Sequence, residues 1–96
     1  MLRACDLSNL ETFKGVLEEL KIDLSIPTLF YCECVLSYIE PDPVDELLAF
    51  IRQNFRLCWV FDYEMFNPLD RFGKMMVQNF DARGCHLTGI HKYPLL

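Results

Sequence analysis

Residues 28–41 read TLFYCECVLSYIEP, an apolar and aromatic run that is closed by the carboxylate of Glu33 and followed, a few residues later, by a proline-marked helix start. A short apolar run of this kind predicts a buried strand over residues 28–33. In open α/β sheets, ligands bind in the crevice beyond the carboxyl ends of the strands. The position of Glu33 therefore points to an α/β enzyme whose ligand crevice lies at the end of this strand.

The sequence on either side of this strand predicts two amphipathic helices. Ser8-Asn9-Leu10-Glu11 matches a capping box, in which Ser8 caps a helix expected over residues 9–21. Pro41-Asp42-Pro43 marks the start of a second helix, because proline is tolerated in the first turn and Asp42 can cap the free N–H groups. Its apolar stripe, which extends to about residue 55, consists of Val44, Leu47, Leu48, Ile51 and Phe55.

The remainder of the chain continues this alternation. A second buried strand is expected over residues 57–61, and Asn67-Pro68 is expected to cap a third helix that ends near Arg83-Gly84. The core stripe of that helix is predicted to be Leu69, Phe72, Met75, Met76 and Phe80. Strands that alternate with helices predict an α/β fold, with a parallel sheet and flanking helices.

Composition and charge limit the function classes. The 96 residues carry a formal net charge of −5, which disfavours nucleic-acid binding because that function normally needs a basic surface. The chain contains no apolar run of the roughly 18 to 20 residues that a membrane span requires. The first residues have no long apolar segment of the kind found in secretory signals. We therefore expect a cytoplasmic protein that does not bind membranes.

The cysteines and histidines give no pattern of a metal site. The five cysteines are an odd number and form no paired CxxC units, which argues against a zinc ribbon or a disulfide scaffold. Cys32 and Cys34 are expected on one face of the first strand, as small buried apolar residues. His86 and His91 are expected in a solvated loop, and we assign no metal ligands.

A glycine-rich phosphate or cofactor loop is missing. A doubly wound nucleotide-binding domain normally opens with a strand and a glycine-rich turn, whereas the four glycines of this chain are isolated from one another. A sheet of two or three strands would also leave an edge open. We therefore interpret residues 1–96 as a single partial domain that lacks its glycine-rich N-terminal half. The alternative is a truncated, non-catalytic interaction protein that pairs with a partner or with itself through the exposed sheet edge.

Several blocks of the sequence resemble the leucine carboxyl methyltransferase family. They are Asp6-Leu7-Ser8-Asn9-Leu10, Glu33-Cys34-Val35-Leu36 with Tyr38, Phe61-Asp62-Tyr63-Glu64, and the run from Asp70 to Met76. Together they cover roughly residues 5–90 in the family's order. The resemblance implies a partial Rossmann-like class I methyltransferase domain that uses S-adenosylmethionine. It also implies methyl-esterification of the C-terminal leucine carboxylate of the protein phosphatase 2A catalytic subunit. A relative in tRNA wybutosine synthesis shares these blocks, so a tRNA substrate is an alternative.

The resemblance also assigns cofactor contacts. Asp6 and Leu7 match a pair that contacts the adenine end of S-adenosylmethionine, and Glu33 matches a glutamate near its methionine part. The structural alternatives are that Asp6 only supports the start of the first helix and that Glu33 pairs with a nearby lysine or arginine.

Substrate contacts are expected from Tyr38 and Arg71. A phenol in the loop after the first strand could line the pocket, and a guanidinium suits carboxylate recognition. Two alternatives stay open: Tyr38 could pack in the core, and Arg71 could be an ordinary surface residue beside Asp70. No residue is assigned as a catalytic acid, base or nucleophile, and the role of Tyr63 and Glu64 is left open.

Overall fold

The computed structural model describes residues 1–63, 67 and 69–89. These described residues form three α-helices, two strands and one short 3₁₀ turn. In chain order they are α1 (Leu10–Glu19), β1 (Thr28–Glu33), the 3₁₀ turn (Leu36–Tyr38), α2 (Pro41–Asn54), β2 (Cys58–Tyr63) and α3 (Arg71–Ala82). This arrangement confirms the predicted α/β class.

The two strands form a parallel sheet. Their register runs from Thr28 opposite Cys58 to Glu33 opposite Tyr63, so both strands end at the same level. The bounds of β1 are those predicted. β2 begins one residue later than predicted and extends two residues further, because the ladder continues until it meets the end of β1.

The core lies between one face of the sheet and the helices α1 and α2. The ring of Phe30 on β1 stands edge-on to Phe55 with centroids 5.0 Å apart, and Phe13 of α1 approaches Phe30 at 6.3 Å. The predicted stripe of α2 is confirmed, since only Leu48 among its members is less than fully buried. The buried core cluster consists of Phe13, Leu36, Val44, Leu47, Ile51 and Phe55.

The predicted capping box of α1 is wrong. Asn9 is the N-cap, and its side-chain oxygen accepts from the backbone N–H of Glu11. The Ser8 hydroxyl instead donates to the Asp6 carboxylate at 2.6 Å, in the turn that precedes the helix. The helix then runs from Leu10 to Glu19, shorter than the predicted range of 9–21, and Lys21 follows in the left-handed region at φ 52°.

The predicted start of α2 at Pro41 is confirmed, but the capping residues of α2 and α3 differ from prediction. Glu40 is the N-cap residue of α2 without a side-chain cap bond, and Asp42 lies inside the first turn, where its charge favours the helix N-terminus. Asp70 caps α3 by accepting from the backbone N–H of Gly73 at 2.7 Å. Asn67 forms a turn ahead of that cap, and Pro68 lies outside the described residues.

Apolar side chains are exposed on the second face of the sheet and on much of α3. Leu29, Tyr31, Trp59 and Phe61 are exposed on the sheet, where the Tyr31 and Phe61 rings stack 5.7 Å apart; we call these four residues the open sheet face. The predicted core stripe of the third helix is wrong for Leu69, which precedes α3, and for Phe72 and Met75, because all three are exposed. Met76 and Phe80 are half-buried. No helix in the described part of the chain is long and apolar enough to span a bilayer.

Candidate functional site

The two strands end side by side, and Glu33 is the last residue of β1. Its side chain is exposed and forms no ion pair with a lysine or arginine among the described residues. In open parallel sheets, ligands bind in the crevice beyond the carboxyl ends of the strands, which is where Glu33 lies. The Glu33 carboxylate is therefore accessible to a cationic group on a ligand.

The backbone turns sharply directly after Glu33. Cys34 adopts φ +52°, a left-handed conformation that is uncommon for a residue other than glycine. The prediction that Cys34 shares a strand face with Cys32 is therefore wrong, because β1 has already ended and Cys34 is exposed. Cys32 remains half-buried, and burial together with the nearby charge of Asp62 raises the pKa of its thiol.

Asp62, near the end of β2, bonds to the turn that follows β1. Its two carboxylate oxygens accept from the backbone N–H of Val35 at 3.5 Å and of Leu36 at 3.3 Å. Asp62 belongs to one of the sequence blocks that resemble the family, but the sequence alone indicated no role for it. The available signal was a carboxylate near the end of the second strand, at the same sheet edge as Glu33.

Asp6 makes a local turn ahead of α1. Its Oδ1 accepts from the backbone N–H of Ser8 at 3.0 Å and from the Ser8 hydroxyl at 2.6 Å. The hydroxyl bond first, and then the backbone bond, lower the pKa of Asp6. Both bonds end on Oδ1, so Oδ2 can still accept from a ligand, while the side chain of Leu7 packs against the core. The geometry agrees with the structural alternative and leaves the adenine contact open.

Replacing Ser8 with alanine is expected to raise the pKa of Asp6 towards its ordinary value, because the dominant hydrogen bond is lost. Since the pKa of Asp6 is lowered in the folded state, these bonds stabilise the fold above the ordinary aspartate pKa. That contribution disappears as the pH falls through the lowered value. An NMR titration of the Asp6 carboxyl carbon measures the shift.

Asp23 and Ser25 form the same turn and provide the matched control. Ser25→Ala should raise the pKa of Asp23 and leave that of Asp6 unchanged. Equal titration of Asp6 in the wild type and in Ser8→Ala would contradict the assigned cause.

The two expected substrate residues lie in different surroundings. Tyr38, at the end of the 3₁₀ turn, is partly exposed and places its ring edge-on to Phe80 of α3, with centroids 6.0 Å apart. Arg71 is the exposed first residue of α3. Its neighbour Asp70 caps that helix and forms no ion pair with Arg71. Within the described part of the chain, no hydrogen bond or ion pair joins Arg71 to Glu33.

Of the other residues singled out in the sequence, Glu64 and His91 lie outside the described residues. Tyr63 is described by its backbone alone. His86 is exposed and its Nδ1 lies 3.0 Å from a carboxylate oxygen of Asp81. Among the described residues, no three side chains of His, Cys, Asp or Glu come together as candidate metal ligands.

Comparison with known proteins gives a consistent family. A family model described as leucine carboxyl methyltransferase matches residues 1–52. The chain is 35% identical over 91 residues to a leucine carboxyl methyltransferase 1 homolog of Arabidopsis thaliana. The matched region covers 95% of this chain and 27% of that protein. It is 34% identical over 85 residues to leucine carboxyl methyltransferase 1 of Rattus norvegicus, covering 88% of this chain and 26% of that protein.

A second kind of relative matches almost the same region. The chain is 34% identical over 89 residues to tRNA wybutosine-synthesizing protein 4 of Homo sapiens, covering 93% of this chain and 13% of that protein. The chain spans about a quarter of the length of the first two relatives, so it corresponds to part of each. With a family model matching more than half of its residues and relatives matching nearly all of them, the chain belongs to the leucine carboxyl methyltransferase family.

Proposed function

We propose that residues 1–96 form part of an S-adenosylmethionine-dependent methyltransferase domain that esterifies the C-terminal leucine carboxylate of a protein. By resemblance that protein is the protein phosphatase 2A catalytic subunit. The observation that carries the proposal is the family match, which spans the strand end where Glu33 is exposed without an ion-pair partner among the described residues. The family resemblance implies that the methionine part of the cofactor would lie near this glutamate.

The chemistry requires positioning rather than proton transfer. S-adenosylmethionine would supply a methyl group on a positively charged sulfur. The methyl group would pass to a substrate carboxylate oxygen, and sulfur would keep the bonding pair of the broken carbon–sulfur bond. A terminal carboxyl with a pKa of about 3.5 is already ionised at neutral pH, so no general base is needed. The site must align the reactants and exclude water.

The side chains present suit the cofactor that the family implies. The exposed Glu33 carboxylate can pair with the ammonium group of the methionine part, and this attraction strengthens once water is excluded. Oδ2 of Asp6 can accept from the adenine amine, while the backbone N–H of Leu7 can donate to a ring nitrogen. Tyr38 and Arg71 are proposed to face the substrate, where the guanidinium would bind its carboxylate.

Calorimetric titration of the 96-residue chain with S-adenosylmethionine tests the proposal. We expect binding that Glu33→Gln weakens at least tenfold, because the neutral amide cannot pair with the ammonium group. Asp6→Asn should also weaken binding, through loss of the acceptor charge. Glu46→Gln on exposed α2 surface is the matched control and should leave the affinity unchanged. A folded chain that releases no heat would contradict cofactor binding by these residues.

The wybutosine relative supports a second candidate substrate, a tRNA base. The net charge of −5 favours a protein substrate, because tRNA binding normally relies on basic surface. A third candidate is a non-catalytic protein that pairs with a partner or with itself through the exposed edge of the sheet. Methyl transfer to a leucine-terminated peptide, compared with transfer to tRNA, separates the first two; self-association without cofactor binding would favour the third.

A further inference from the structure

The turn that follows Glu33 has a backbone conformation that needs support from contacts outside the turn. Cys34, directly after Glu33, adopts φ +52°, and residues other than glycine persist in this region only where surrounding contacts determine the conformation. Glu33 itself is held in the ladder opposite Tyr63, and the turn begins at the next residue, so the turn fixes the backbone that flanks the Glu33 side chain. Contacts that hold the turn therefore also hold the surroundings of the Glu33 carboxylate.

Asp62 provides those contacts from the neighbouring strand. Each of its carboxylate oxygens accepts one backbone N–H, Oδ1 from Val35 at 3.5 Å and Oδ2 from Leu36 at 3.3 Å. Val35 is the N-cap residue of the 3₁₀ turn and makes no side-chain cap bond of its own. The half-buried Asp62 carboxylate thus replaces a local cap and ties the turn to β2.

The turn is held from its other side as well. Leu36 is buried in the core, and the backbone N–H of Gly89 donates to the carbonyl oxygen of Ser37 at 2.9 Å. Support on both sides fixes the backbone of residues 35–37 while the Glu33 side chain stays exposed. A rigid frame around an accessible charged group is what precise ligand positioning requires.

We propose that Asp62 is a positioning residue: it sets the conformation of the turn after β1 and thereby aims Glu33 at the methionine part of S-adenosylmethionine. The inference rests on the proposed function and adds to it, since Asp62 acts through the Val35 and Leu36 amides and does not contact the cofactor. Aspartate suits this role because both of its oxygens accept, whereas an asparagine would present a donor to one of the two amides.

The first test is amide hydrogen exchange in Asp62→Asn, which needs no ligand. We expect exchange at Val35 and Leu36 to accelerate at least tenfold, while exchange at Ile51 in α2 stays as in the wild type. Glu46→Gln removes one exposed carboxylate of α2 and should change neither rate. Unchanged exchange at Val35 and Leu36 in Asp62→Asn would overturn the proposal.

The second test separates positioning from a merely structural role. We expect Asp62→Asn to bind S-adenosylmethionine at least tenfold more weakly and adenosine, which lacks the methionine part, with unchanged affinity. An equal loss for both ligands would overturn the positioning role, because general destabilisation affects both. If the wild-type chain bound no S-adenosylmethionine, the proposed function would fail, and the exchange rates would still decide whether Asp62 holds the turn.

Discussion

Phe55→Ala is expected to lower the free energy of unfolding by about 3–5 kcal/mol, the usual cost of removing a buried aromatic side chain. Phe55 is only 4% exposed and packs edge-on against Phe30, joining α2 to the sheet. The loss combines the transfer free energy of the ring with the cavity it leaves. Because small domains have a total stability of only about 5–15 kcal/mol, much of the population should unfold at low urea. Urea denaturation followed by circular dichroism measures the change.

Phe72→Ala is the matched control, because it removes the same side chain from a position that is 72% exposed on α3. Exposed positions normally change stability by no more than about 0.5 kcal/mol. Equal losses for the two variants would show that the core does not lie where the packing of Phe55 places it.

Gly89→Ala is expected to destabilise the protein by about 1–3 kcal/mol, the usual cost of overpacking. A β-carbon at this position would lie 3.2 Å from the carbonyl oxygens of both Leu36 and Ile39. These oxygens belong to the backbone around the 3₁₀ turn, whose Ser37 carbonyl accepts from the Gly89 N–H, so they have little freedom to retreat. Urea denaturation should give the stability loss, and faster exchange of the residue 89 amide should accompany it.

Gly15→Ala provides the opposite case in the same chain. Gly15 lies within α1, and an added β-carbon would meet nothing within 4 Å. Alanine is favoured over glycine inside a helix by about 0.5–1 kcal/mol, so this variant should be more stable than the wild type. Stabilisation by Gly89→Ala as well would mean that the segment around residue 89 does not pack against the turn.

Apolar periodicity was enough to predict the elements that build the core. The bounds of β1 and the stripe of α2 followed from the sequence because burial on one side selects period two in strands and 3.6 in helices. Periodicity could not tell whether α3 is covered, since an amphipathic stripe shows only that a helix has an apolar side. Phe72 and Met75 therefore lie exposed where core packing was predicted.

Local polar contacts were harder to predict. Ser8 and Asn9 are both good N-cap residues; in the structure the Ser8 hydroxyl bonds to Asp6, and the Asn9 side chain caps α1. At the candidate site, the exposed strand-end position of Glu33 followed from the pattern. The bond from Leu36 to Asp62 did not, because it joins residues 26 positions apart and needs the strand register to be known.

The open sheet face contains an intrinsic fluorescence probe. Trp59 is the only tryptophan in the chain and is 56% exposed on that face, beside the stacked Tyr31 and Phe61 rings. Indole fluorescence shifts to shorter wavelength when water is removed from the ring. Titrating the chain with any polypeptide that covers this face should therefore give a blue shift, and Phe55→Ala unfolding would give a red shift. One emission spectrum thus distinguishes a covered sheet from a lost fold without a label.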